Sequence, residues 1–400
     1  MRILQLTGDW KWTGPAEPML LLLGALRERG HRVELACAEP PGAGRSGLVE
    51  RACAAGAAPL LRLPPGRGGL RPFSDAGSAR RLAALLAEHD FQVVHTWHTR
   101  DHVLALRAAR RRRRSGRTVV VRSWAGAEAI PARPWDRWLF GPGCDGLLCV
   151  SPASARRNQD LRRGRPVFGA LGAADVVRFG AEPPPGVREA TRARFGIAAD
   201  EVAIGIAARV QRHRRFDLLF SAFHALVRDR RRARLVVMGQ GTHFDELARR
   251  PVEALGLGER VILAGQRSCD YVQALQALDL FSYLVPGSDG SCRALLEAAL
   301  CGLPAVATRR GALPEIVSQG ETGLLVEEEP GALAGAWRRL LDDPEERRRL
   351  GAAARRRALR LFAPGRWAAD VEGFYERVRE ARASRLSPSG FSAERETSSR

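Results

Sequence analysis

Met1-Arg-Ile-Leu-Gln-Leu-Thr-Gly8, the helical spacing from Glu17 to Arg29 with its stop at Gly30, and His31-Arg-Val-Glu-Leu-Ala-Cys37 together decide the fold. The first run is short, apolar and closed by glycine, as a buried strand meeting a loop should be. Gly30 is a helix stop signal. The run from His31 to Cys37 is a second strand. Strand, loop, helix, turn and strand in that order open a parallel α/β sheet.

The alternation continues outward from there. Leu60-Leu-Arg-Leu63, Phe91-Gln-Val-Val-His-Thr96, Thr118-Val-Val-Val-Arg122 and Asp145-Gly-Leu-Leu-Cys-Val-Ser151 read as further strands, with a helix at 101–114. Ser151-Pro152 is a cap and first-turn proline for the next helix. Ala181-Glu-Pro-Pro-Pro-Gly186 then breaks the pattern, because three prolines stiffen the chain and cannot join a sheet. Beyond it six more strands are expected: 202–207, 234–238, 261–264, 280–283, 305–307 and 323–326. The expected organisation is an N-terminal Rossmann-like domain at 1–186 and a C-terminal one at 187–364. A helix at 365–384 crosses back to the N-terminal domain. The Ser-rich segment 385–400 reads as a disordered tail.

The chain has 400 residues, enough for two domains, and 45% of them are hydrophobic, which excludes a disordered chain. The leucine-rich run from Met19 to Leu26 is far shorter than the ~20 residues of a spanning helix. Lying behind Asp9 and Glu17, it does not read as a secretory signal. A cytoplasmic protein is expected, with the inner face of the membrane as a possible station. The seven cysteines are scattered and form no Cys-x-x-Cys pair, so they read as free thiols. Sixty-four Lys+Arg against 44 Asp+Glu leave a net charge of +20, nearly all of it arginine, since Lys11 is the only lysine. The arginines are spread along the chain without interleaved stacking aromatics, which argues against nucleic acid. Arginine-rich composition and an anionic membrane or acceptor remain as explanations. Arg110-Arg-Arg-Arg-Arg114 and Trp10-Lys11-Trp12 are the segments to test for membrane contact.

Two facing α/β domains leave a cleft lined by strand ends and helix N-termini, where backbone N–H groups bind phosphate. Glycine groups stand at such ends: Gly14 near the first helix, Gly239-Gln-Gly241 after a strand, and Ser288-Asp-Gly-Ser291 before a helix.

From Asp289 onward the chain reads Asp289-Gly-Ser-Cys-Arg-Ala-Leu-Leu-Glu297, then Cys301-Gly302-Leu-Pro304, Gly311-Ala-Leu-Pro314-Glu315-Ile-Val317 and Gly320-Glu-Thr-Gly323. In register throughout, this resembles the C-terminal domain of the retaining glycosyltransferases of family 4, the glycosyl transferases group 1, which have the GT-B fold. The resemblance reaches Arg209 and Arg214, which stand at an Arg and a Lys that grip the donor's phosphates. It also reaches Gly239 and Gly241, and more loosely Gly14 and His95. It implies that Glu297 accepts from the ribose hydroxyls and that Asp289 contacts the donor sugar. Gly14, Gly239, Gly241, Gly290, Ser291 and Cys292 would approach the donor. Arginines fit this task because bond breaking builds charge on a leaving diphosphate.

Two positions depart from the family pattern. Cys292 stands where the family has a glycine, and Arg293 adds a charge that would suit an anionic donor sugar. The usual histidine after the fifth strand is missing from Arg122-Ser-Trp-Ala-Gly126. A cluster after the fourth strand stands in for it: His95, His98, Arg100, Asp101 and His102, with Trp124, are the candidate acceptor-side residues. The resulting expectation is a retaining glycosyltransferase that uses a nucleotide-diphosphate sugar and a glycan or lipid-linked acceptor, with no cofactor, metal or nucleic acid. Bacterial cell-surface polysaccharide or lipopolysaccharide synthesis is the expected setting. An epimerase-like enzyme on the same fold and a non-catalytic sugar-nucleotide-binding protein are the alternatives.

Overall fold

The computed structural model describes residues 1–12, 15–42, 44–65, 72–131, 133–229, 232–287, 290 and 292–387, with backbone only at 72–74. Contacts divide the chain into two units. One is Met1–Gly172 together with the chain from Pro364 onward, and the other is Ala173–Ala363.

The first unit holds seven strands: β1 (Arg2–Leu6), β2 (Arg32–Ala38), β3 (Leu61–Leu63), β4 (Val93–Thr96), β5 (Val119–Trp124), β6 (Gly146–Cys149) and β7 (Val167–Gly169). All pair in parallel, in the order β3-β2-β1-β4-β5-β6-β7. The strands are apolar on both faces because helices cover both faces. Ile3, Leu4, Val33, Val94 and Val120 are completely buried. β7 was not expected. It has three half-buried residues at a sheet edge, too few for periodicity to register. Ser151 caps its helix as expected, its hydroxyl accepting from the N–H of Ser154 at 3.2 Å.

The second unit holds β8 (Val202–Ala207), β9 (Ala233–Met238), β10 (Val261–Gly265), β11 (Leu280–Tyr283), β12 (Ala305–Thr308) and β13 (Gly323–Val326). Their order is β10-β9-β8-β11-β12-β13, again all parallel. Each sheet reverses its strand order once, between β1 and β4 in the first unit and between β8 and β11 in the second. Open α/β sheets bind ligands at that reversal, beyond the carboxyl ends of the strands.

The boundary expected at 186/187 moves upstream to 172/173. The proline run is bonded into the second unit: Gln276 donates to the Ala181 carbonyl at 3.0 Å and Arg355 pairs with Glu182. Prolines stiffened this segment without freeing it. The helix Pro364–Leu386 belongs to the first unit. Its Glu372 pairs with Arg29 at 2.5 Å, and Phe374 stacks on Phe168 at 5.7 Å. Helical backbone runs through Leu386, and 388–400 of the expected tail lie outside the described residues. Among the described residues, no helix is long and apolar enough to cross a membrane.

Candidate active site

In the second unit the expected donor residues collect around the β8–β11 reversal. The loop after β8 carries Arg209 and Arg214. Arg209 is exposed and makes no hydrogen bond or ion pair among the described residues. Arg214 is buried, and its Nη1 donates to the carbonyl of Val285 at 2.7 Å. That bond ties the loop after β8 to the loop after β11 across the reversal. The two arginines, expected to act alike, are therefore placed differently, one as a free cation and the other as a tie.

Gly239 and Gly241 make the neighbouring crossing possible. A Cβ on Gly239 would stand 2.0 Å from the carbonyl oxygen of Ala208, and one on Gly241 would stand 2.0 Å from that of Val210. Gly239 also has φ +153°. The loop after β9 thus lies directly on the loop that carries Arg209, with Val210 N–H donating to the Gln240 carbonyl at 3.2 Å. The N–H of Gly239 is spent on the Gly265 carbonyl at 2.8 Å. It is a backbone spacer here, where an approach to phosphate was expected.

Beyond β11 the chain turns at Gly290 (φ +64°) and enters the helix Arg293–Leu300 through Cys292, which is left-handed at φ +50°. A non-glycine residue in this region is unusual and strained. Cys292 is completely buried and its thiol points back to the Gly290 carbonyl at 3.6 Å. It shapes the turn and offers no surface to a ligand. Asp289, Ser291 and Gly14 lie outside the described residues.

Glu297 sits in the helix and is only 4% exposed. The Tyr271 hydroxyl donates to its Oε2 at 3.0 Å, and Nε of Arg293 lies 3.3 Å from Oε1, one helical turn away. Burial, and then the Glu297 charge, hold the Tyr271 hydroxyl well above the usual phenol range, so it remains a donor. Arg293, expected beside the donor sugar, faces Glu297. Tyr271 was missed, since an aromatic residue at the start of a six-residue helix gives no sequence signal.

In the first unit the β1–β4 reversal is bridged by Asp9 and His98. His98 Nε2 lies 2.9 Å from Asp9 Oδ2, and both side chains are partly exposed. Burial pulls the imidazole pKa down, but the Asp9 hydrogen bond and the Asp101 charge outweigh it and leave it raised. Asp101 is buried and accepts the Gly8 N–H at 2.7 Å. Burial pushes its carboxyl up to about 6, against the opposing pull of His98 and of the Gly8 N–H. A side chain on Gly8 would collide with this carboxylate. Asp9 was missed although it adjoins Gly8 in the loop just past β1.

The remaining acceptor-side candidates are bonded within the first unit, His95 and His102 out of reach of solvent. His95 is fully buried, with Nδ1 2.7 Å from the Tyr375 hydroxyl and Nε2 2.7 Å from the Ser123 hydroxyl, and it stacks on Trp97. His102 is fully buried against the Thr96 hydroxyl at 3.0 Å. Burial brings both imidazoles down to about 3, so both are neutral. Arg100 gives two nitrogens to the buried Asp75, at 2.7 and 2.9 Å. Trp124 packs edge-on against Phe140 at 5.4 Å and bonds the Glu128 carbonyl, closing its own loop. All four are tied into the first unit, His95 and Trp124 from strands and Arg100 and His102 from the helix Thr99–Ala108 that follows β4. Among the described residues no group of three or more His, Cys, Asp or Glu could hold a metal ion.

Comparison with known proteins agrees with this architecture. Residues 187–357 match the family model Glycosyl transferases group 1, and residues 19–167 match Glycosyltransferase Family 4. A GDP-mannose-dependent monoacylated α-(1-6)-phosphatidylinositol monomannoside mannosyltransferase of Corynebacterium glutamicum is 28% identical over 70% of this chain and 74% of its own. A D-inositol 3-phosphate glycosyltransferase of Kineococcus radiotolerans is 35% identical over 59% and 57%. The crystal structure of a glycosyltransferase from Rickettsia africae superposes with a TM-score of 0.78 at 16% identity, over 94% of this chain and 98% of that one. Two Rossmann-like units whose residues match both halves of one enzyme family leave a single assignment: the chain belongs to the family 4 glycosyltransferases and has the GT-B fold.

Proposed function

We propose that this glycosyltransferase moves a sugar, with retention of its anomeric configuration and without a metal ion, from a nucleotide-diphosphate sugar to a glycan or lipid-linked acceptor. The observation that carries the reading is the β8–β11 reversal, where Arg209, without a partner among the described residues, stands on the loop after β8 and a fixed, buried Glu297 stands on the helix after β11. Arg209 meets the diphosphate as its charge grows. Glu297 takes the ribose hydroxyls. In a front-side mechanism the leaving phosphate removes the acceptor's proton, so no protein base is needed. His98 and Asp9, at the reversal of the first sheet, bind acceptor hydroxyls. Relatives whose names include GDP-mannose and phosphatidylinositol mannoside favour a lipid-linked acceptor, met at an anionic membrane face in cell-surface glycan assembly.

A thermal-shift panel of UDP, GDP, ADP and their sugars tests the donor site. One nucleotide should stabilise the wild-type protein and fail to stabilise Arg209→Ala. If no nucleotide stabilises the wild type, the reading is wrong. Product analysis with and without acceptor then separates transfer from epimerisation and shows the anomeric configuration.

A further inference from the structure

The helix Pro134–Phe140 of the first unit ends in the core and exposes two tryptophans. Leu139 and Phe140 are buried in the core. Trp135 and Trp138 are 47% and 48% exposed, with ring centroids 5.3 Å apart and an interplanar angle of 31°, so they form one wedge. Arg133 and Arg137 flank them, exposed, their guanidinium groups without hydrogen-bonded or ionic partners among the described residues.

This corner is rigid and basic. The fully buried Arg162 donates to the carbonyls of Phe140, Gly141, Cys144, Asp145 and Pro166 and locks the chain behind the helix. Arg113 pairs with Asp145 at 2.7 Å and reaches the Pro142 carbonyl at 3.4 Å. The arginine helix Arg110–Arg114 is thereby tied to the same loop. Arg112 is likewise occupied, by Asp90 and Thr118, but Arg110, Arg111 and Arg114 are exposed. Exposed indoles set among unpaired guanidinium groups match the boundary layer of an anionic bilayer. There tryptophan takes up an amphipathic position and arginine meets phosphate headgroups.

We infer that Trp135 and Trp138, flanked by Arg133 and Arg137 and backed by Arg110, Arg111 and Arg114, dock this enzyme on an anionic lipid surface. The inference rests on the reading of a membrane-resident acceptor, and the two are tested apart.

Sedimentation with vesicles of phosphatidylcholine, with and without phosphatidylglycerol, measures the docking. Wild-type protein should bind the mixed vesicles and ignore the neutral ones. Trp135→Ser with Trp138→Ser should weaken binding about tenfold or more, and so should Arg110→Glu with Arg111→Glu and Arg114→Glu. Neither variant should change the melting temperature or the nucleotide-induced thermal shift, which report the fold and the donor site separately. Equal binding to both vesicle types, or undiminished binding by the tryptophan variant, overturns the inference. So does capture of this face by soluble polysaccharide with vesicles ignored. Loss of the nucleotide shift in the wild type would instead count against the donor-site reading and leave the docking result standing.

Discussion

The hydroxyl of Tyr271 donates to Oε2 of Glu297 at 3.0 Å, across 26 positions of sequence, and holds a buried carboxylate in one orientation. Arg293 takes the other oxygen from the same helix. The carboxylate thus has its charge balanced and its direction set by the fold itself. Glu297→Gln should lower kcat/KM for donor by roughly a hundredfold or more, since a charge-assisted acceptor is lost. Tyr271→Phe should cost about tenfold, the scale of one hydrogen bond to a charged group, and mainly in donor KM, because Glu297 is still present but less fixed. Initial rates at varied donor, with thermal melts as the control for folding, distinguish the two effects.

Arg209 and Arg214 should separate in the opposite sense. Arg209 has no partner among the described residues to lose, so Arg209→Ala should leave the melting temperature within a degree or so and weaken nucleotide-diphosphate binding roughly ten- to hundredfold. Arg214→Ala removes a buried donor from the Val285 carbonyl and should lower both binding and melting temperature. Titration calorimetry with the nucleotide that stabilises the wild type, beside melting curves, checks the contrast. Equal thermal losses in both variants would contradict the placement of Arg209.

The depth to which these sites were legible in the sequence varies with the physical signal. Apolar runs between glycines and helix caps announced six of the seven strands of the first sheet and all six of the second, because a strand buried on both faces must be apolar. Glu297, Arg209 and Gly241 were singled out because a family motif fixes their order along the chain. Asp9 and Tyr271 were not, because each acts through a partner brought near only by folding: Asp9 meets His98 through the pairing of β1 with β4. His95 and His102 were misjudged for the same reason. A histidine at a strand end or in the helix just after it reads as ligand-facing until burial is known, and only the fold shows Tyr375 standing on His95.

Gly241→Ala tests whether the two loops beyond β8 and β9 need contact at backbone distance. The added methyl would stand 2.0 Å from the Val210 carbonyl oxygen, and neither backbone can yield without moving Arg209. A cost of about 3 kcal/mol is the scale of such a clash, or roughly 6–12 °C in a unit of this size. Nucleotide binding should fall even at temperatures where the variant remains folded. By contrast Gly258→Ala, where an added Cβ meets nothing within 4 Å, should be nearly neutral.

Asp101 and the two buried histidines pull stability in opposite directions as pH changes. The Asp101 carboxyl sits near 6 in the folded chain against an ordinary value of 3.8, so between those values the folded state binds more protons than the unfolded state. Its contribution therefore favours folding at low pH and fades as pH rises through about 6. His95 and His102 lie near 3 against 6.5, so in that window the unfolded state binds more protons. Their contribution is complete above 6.5 and is lost as pH falls toward 3. Two histidines with the larger shifts outweigh one carboxylate, and the melting temperature should fall on acidification below about pH 6.5. Asp101→Asn keeps an oxygen for the Gly8 N–H and removes the buried charge. The variant should melt higher than wild type at pH 7.5, and its melting temperature should drop more steeply toward pH 4.5, since the Asp101 offset to the buried histidines is gone. Melting curves of both proteins across that range decide the matter. Parallel pH profiles would mean that Asp101 does not titrate as its burial requires.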